Sequence, residues 1–178
     1  AGPGGGRPPR AGPPRRSAEV SRATRRLAEM ELDAVAENID ILSYRQGCLV
    51  VADWVEGTSL KTVSEDKDLD PRAVAHALVP LVRTTAAAHA ANLVLGIENR
   101  NRIRISTEGV ATLAFPAVLH SNDEETDRSA LASAISLLVS STKPTPEVLQ
   151  EIAADAEEGE DSDLEDIAHR LAAFAGDG

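Results

Sequence analysis

The chain has 178 residues, 42% hydrophobic but only 2% aromatic, and 18 basic against 29 acidic residues give a net charge of −11. This supports one domain plus a tail, with a core of small aliphatic side chains, and argues against general nucleic-acid binding by the folded part. One cysteine, Cys48, excludes an internal disulfide framework and fits a reducing compartment, and four scattered histidines without paired spacing give no zinc site.

The first residue is Ala1, and the Gly/Pro/Arg start has no apolar signal core, so a signal peptide is not expected and an excised fragment is. No apolar run reaches the roughly 18–20 residues that span a bilayer. Residues 1–16 hold little that could be buried and are expected to form a disordered linker, with the domain running over residues 17–178. Through Arg26 the chain carries seven arginines and one acid, Glu19, a net +6 that leaves −17 on the remainder. Two readings stay open: a flexible tether between domains, or a basic arm attracted to anionic lipid that tethers the chain to a membrane.

Ser17 can cap a helix over residues 17–32, with Ala18, Val20, Ala23, Leu27 and Met30 as its apolar stripe. Residues 35–44 read as a strand, Gln46-Gly47 as a turn and residues 48–52 as a buried strand. Asp70-Pro71 predicts the start of a helix over residues 73–91, with Pro80 positioned to kink it. His76 and His89 on this helix read as packing or surface residues rather than ligands. Ile103 and Ile105 alternate with Arg102, Arg104 and Ser106, a strand pattern; Thr107-Glu108-Gly109 reads as a turn and residues 110–115 as the return strand, ended by Pro116. Residues 130–139 predict a buried helix. Thr145 as cap and Pro146 as first residue predict another that runs to about Ala156. Residues 157–163 form an acidic loop and residues 164–174 a final amphipathic helix.

Two stretches carry a resemblance. Leu95-Gly96-Ile97-Glu98-Asn99-Arg100-Asn101-Arg102-Ile103 falls without a gap on the protein-kinase catalytic loop, H-G/R-D-x-K-P-x-N, and Leu113-Ala114-Phe115-Pro116 falls on the A-D-F-G segment. Asp53-Trp54-Val55-Glu56-Gly57-Thr58-Ser59-Leu60 resembles the kinase hinge, commonly W-V-E-G-x-x-L. Asp127 matches the aspartate that opens kinase helix αF and holds the catalytic loop by backbone hydrogen bonds, which implies a structural role. The fold implied is α+β, mainly α: a kinase-like C-lobe with helix αC and two residual N-lobe strands. The first three N-lobe strands and the Gly-rich loop are absent from this sequence. Glu19 compares with the αC glutamate, but no matching lysine is present.

The departures remove the chemistry. Leu95 stands for the histidine, Ile97 for the catalytic aspartate, Asn99 for the lysine, Arg102 for the metal-binding asparagine, Ala114 for the metal aspartate and Pro116 for the glycine. Phosphoryl transfer needs a held metal and a base that orients the hydroxyl; Ile97 and Ala114 supply neither. The chain therefore resembles a pseudokinase, and is most similar to the cytoplasmic pseudokinase domain of actinobacterial MviN (MurJ-type) lipid flippases. That resemblance implies no catalysis, no cofactor or metal, and a cytoplasmic regulatory or scaffolding role in peptidoglycan precursor transport. It also implies binding by a forkhead-associated domain after threonine phosphorylation. Thr142 and Thr145 are the candidate phosphosites, since no threonine follows Thr145. Two alternatives stand beside it: a nucleotide-binding or weakly active atypical Ser/Thr kinase using Asp53, Glu56 or Glu98, and a homodimer formed through the sheet edge near residues 35–52.

Overall fold

The computed structural model describes residues 15–159 and 163–176. Neither glycine nor proline interrupts the first helix, α1 (Arg15–Glu29), which buries Thr24 and Leu27 and leaves its arginines exposed. Arg15 and Arg16 thus belong to the helix rather than to a linker, and Ser17 lies inside it instead of capping it. The rest of the expected linker, residues 1–14, and most of the acidic 157–163 loop's centre, residues 160–162, lie outside the described residues.

A two-stranded antiparallel hairpin follows, β1 (Asp40–Tyr44) with β2 (Gly47–Val51), in the register Leu42↔Leu49. The strand expected from residue 35 begins only at Asp40, because Glu31, Ala34 and Asn38 take left-handed φ of 48°, 57° and 54° and bend the connection. Val35 instead bridges to Leu113. The second strand is not buried as expected: Leu49 is 53% and Val51 45% exposed. Among the described residues no third strand pairs with either edge of the hairpin, and Leu42, Tyr44, Leu49 and Val51 stand exposed on one of its faces.

The second sheet is antiparallel, ordered β3 (Gly57–Ser59), β4 (Ile103–Ser106), β5 (Ala111–Leu113). The hairpin β4–β5 forms where the alternation predicted it, but β5 stops at Leu113 rather than Phe115. Ala114 N–H turns back to donate to Arg102 O at 2.8 Å. Gly57, at φ 144°, is required: a Cβ there would lie 2.0 Å from Ile105 O.

α2 (Leu60–Ser64) is capped by Ser59, which accepts from Thr62 N–H. α3 (Pro71–Ala90) starts at the Asp70 cap as predicted and runs unbroken through Pro80. Ten buried side chains spread along its length outweigh the one lost hydrogen bond. α4 (Glu124–Ser140) opens on a capping box between Asp123 and Thr126. α5 (Glu147–Ala156) has Pro146 at its cap position and no side-chain cap bond, so Thr145 does not cap it. The Thr145 hydroxyl donates instead to Thr142 O at 2.9 Å. α6 (Leu164–Ala175) is capped by Asp163 and ends at left-handed Gly176. α3 packs most extensively against α6, and α4 against α5. The Arg170–Asp155 ion pair, 2.6 Å, ties α6 to α5, and its hydrogen bond raises the Arg170 pKa above the ordinary value. The architecture is α+β and mainly helical. Among the described residues no helix is long and apolar enough to cross a membrane.

Candidate functional site

Asp127, in the first turn of α4, is fully buried and is the anchor of the loop that follows α3. Its Oδ2 accepts from Leu95 N–H at 2.6 Å, and its Oδ1 accepts from Gly96 and Ile97 N–H at 2.8 and 3.1 Å. His89 Nε2, from the last turn of α3, lies 2.8 Å from Oδ2 and donates to it. Gly96 sits at φ 78°, where a Cβ would come within 2.9 Å of Ala117 O, so loop and post-β5 segment are in close backbone contact. That segment is held in turn by α1, through Val118 N–H donating to buried Thr24 Oγ1 at 3.0 Å.

The six positions that depart from the kinase loop pattern are mostly buried or engaged in local hydrogen bonds. Leu95 and Ile97 are fully buried, Ala114 is buried against Ala36 and Val55, and Pro116 is buried. Asn99 accepts from Asn101 N–H at 2.9 Å and caps the short 3-10 turn Arg100–Arg102. Arg102 is paired with Glu98, at 2.8 Å from Nε and 2.6 Å from Nη2, and its Nη1 donates to Phe115 O at 3.3 Å. Glu19 is held by Arg15 at 3.2 Å.

The segment Asp53 to Gly57 lies apart from that loop. Asp53 accepts from Asn38 Nδ2 at 2.6 Å and its N–H donates to Glu37 O at 2.9 Å. Trp54 is 59% exposed and meets Phe115 edge-on, centroids 6.2 Å apart. Arg104 covers the Trp54 ring at 4.4 Å and donates to Val55 O and Gly57 O, both at 3.1 Å. The carbonyls of this segment are thereby taken up by the protein's own guanidinium.

A cavity of about 980 Å³ opens between the end of α1, the connection to β1, this segment and the β4–β5 turn. Glu31, Asp33, Glu37, Asp53, Glu56 and Glu108 line it, and no lysine, arginine or histidine does. Asp53 and Glu56 share this cavity; Glu98 lies outside it, as do Leu95, Ile97, Asn99, Arg102, Ala114 and Pro116. Among the described residues no three His, Cys, Asp or Glu side chains are grouped as a metal ion requires.

The phosphosite candidates fare differently from expectation. Thr142 is 4% exposed and its hydroxyl donates to Val139 O at 2.6 Å, so it is a helix-end residue closed to a modifying enzyme. The backbone of this segment is tied to Leu69, whose N–H donates to Ser141 O and whose O accepts from Lys143 N–H, both at 3.1 Å. Thr145 is half-buried. Sequence reasoning missed His89 and Arg104. A lone histidine whose partner lies 38 residues away leaves no local pattern, and Arg104 reads simply as the outward residue of an alternating strand. No known protein-family model matches the chain.

Proposed function

We propose that this chain is a catalytically inactive, truncated kinase-like domain acting as a regulatory or scaffolding protein-interaction module. The observation that carries the reading is the cavity beside the Asp53–Gly57 segment, with six carboxylates and no cation in its lining. A nucleoside polyphosphate carries several negative charges and would be repelled there. A base seated on the segment would also have to displace Arg104 from two carbonyls and from the Trp54 ring. The buried, apolar Ile97 and Ala114 offer no metal ligand and no base where phosphoryl transfer would need them. The Asp127 bonds to Leu95, Gly96 and Ile97 support the kinase-like likeness, because they hold the loop's backbone without asking anything of its side chains.

In this reading the module sits at the cytoplasmic face of a membrane protein of peptidoglycan precursor transport and binds a protein partner. The support for that setting is the sequence resemblance to MviN-type pseudokinase domains. Recognition by a forkhead-associated domain would have to use Thr145 or another exposed threonine, since Thr142 is buried.

Thermal melting with ATP and ADP, each with and without Mg²⁺ or Mn²⁺, tests the reading. A ligand at 100 times its dissociation constant would add about 2.7 kcal/mol. The expected result is no shift at millimolar nucleotide. A metal-dependent rise in melting temperature would overturn the inactive assignment in favour of a nucleotide-binding or weakly active kinase.

A further inference from the structure

α1 is a basic element in an acidic chain, with five arginines against two glutamates over Arg15–Glu29. Arg22 and Arg26 stand one helical turn apart, and Arg15 lies two turns before Arg22 on the same side. This stripe is opposite the buried Thr24 and Leu27, and all five arginines are exposed. Among the described residues only Arg15 has an ion-pair partner, Glu19.

The hairpin next to α1 supplies the second half of the surface. The register pairs Leu42 with Leu49, Tyr44 with Gly47 and Asp40 with Val51, so these side chains share one face. Leu42 is 52%, Tyr44 54%, Leu49 53% and Val51 45% exposed. A Cβ at Gly47, on that same face, would lie 3.6 Å from Ser17 Oγ, so the first turn of α1 borders the apolar face. Arg45, exposed at the hairpin turn, adds a cation at its rim.

We propose that α1 and the β1–β2 hairpin together dock onto an anionic lipid bilayer. The apolar face enters the headgroup boundary and the unpaired arginines meet lipid phosphate and carboxylate groups. A second copy fits this surface worse. A two-fold contact would bring together two patches of the same net positive charge. A nucleic acid would satisfy the arginines but leave the four apolar side chains uncovered. The proposal does not depend on the pseudokinase reading, since it uses neither the Asp127-held loop nor the acidic cavity.

The test is flotation of the full chain with vesicles of phosphatidylcholine alone and of phosphatidylglycerol mixed with phosphatidylcholine. Binding is expected to the mixed vesicles only, and to weaken as salt is added. Replacing Arg22, Arg25 or Arg26 by Gln should lower the partition constant about fivefold per residue, while Arg→Lys at the same positions keeps binding. Leu42→Ser with Leu49→Ser should weaken binding and leave its salt dependence unchanged. All these positions are exposed, and melting of each variant checks that it is folded. No binding to the mixed vesicles, equal binding to both kinds, or full binding by the triple Gln variant overturns the proposal. So does a dimer, seen by light scattering, that the leucine variant dissociates, because the face would then belong to a second copy.

Discussion

One carboxylate, Asp127, accounts for the path of the chain between α3 and β4. It accepts three backbone N–H groups and the His89 ring, and none of these donors has water as an alternative in so buried a place. Asp127→Ala would leave all of them unsatisfied and is expected to cost about 3–5 kcal/mol. Asp127→Asn keeps one acceptor oxygen and should cost about 1–3 kcal/mol. Urea unfolding of the two variants measures this directly. An Asp127→Ala protein as stable as the parent would show that the loop is held by its apolar side chains, Leu95 and Ile97, instead. Leu95 and Ile97 contribute backbone to Asp127 and side chain to the core, and neither task needs a polar group.

At the scale of elements, the two sheets obey different rules. β3–β4–β5 is anchored by close backbone approach, and Gly57 is the position where that approach is tightest. Gly57→Ala would place a methyl against Ile105 O at a φ that costs a side-chain residue about 1–3 kcal/mol by itself. A fall of several degrees in melting temperature is expected, and an unchanged melting curve would mean that β3 can detach without consequence. The β1–β2 hairpin has no such constraint. Two strands alone are marginally stable in water, and this pair rests on α1 while presenting Leu42, Tyr44, Leu49 and Val51 outward. That exposed face is why the hairpin, rather than the well-packed α3 or α4, carries the proposed lipid contact.

The whole molecule is electrostatically divided. Positive charge gathers at α1, while six carboxylates surround the cavity without a compensating cation. Net charge of −11 destabilises a compact state through self-repulsion, and salt screens repulsion among exposed charges over about 8–10 Å at physiological ionic strength. Raising salt from low to physiological concentration is therefore expected to raise the melting temperature. A falling melting temperature would mean that attractive pairs such as Arg170–Asp155 outweigh the repulsion. The same division separates the two proposals: one expects no nucleotide at the acidic cavity, and the other expects anionic lipid at the basic helix.

Local order was legible along the chain. The helical spacing of Val74, Ala77, Leu78, Leu81 and Val82 and the Asp70-Pro71 start predict α3, and the alternation around Ile103 and Ile105 predicts β4–β5. These features depend on neighbours within a few residues, whose sterics and capping are written in order along the backbone. Burial is different, because it depends on what packs against an element from elsewhere. Residues 48–52 are apolar enough for a central strand, yet Leu49 and Val51 of β2 stand exposed, because no other element packs over them among the described residues. Thr142 reads as a surface threonine, yet it is buried where its segment bridges to the distant Leu69. Arg104 reads as a solvent-facing strand residue, yet it spans to carbonyls 49 and 47 residues earlier. Local spacing and capping placed α3, β4 and β5, while the starts of α1 and β1 and the cap of α5 departed from it. Which apolar residues are bare, which carboxylates share a cavity and which arginines lack an ion-pair partner among the described residues all depend on contacts between segments that no local spacing records.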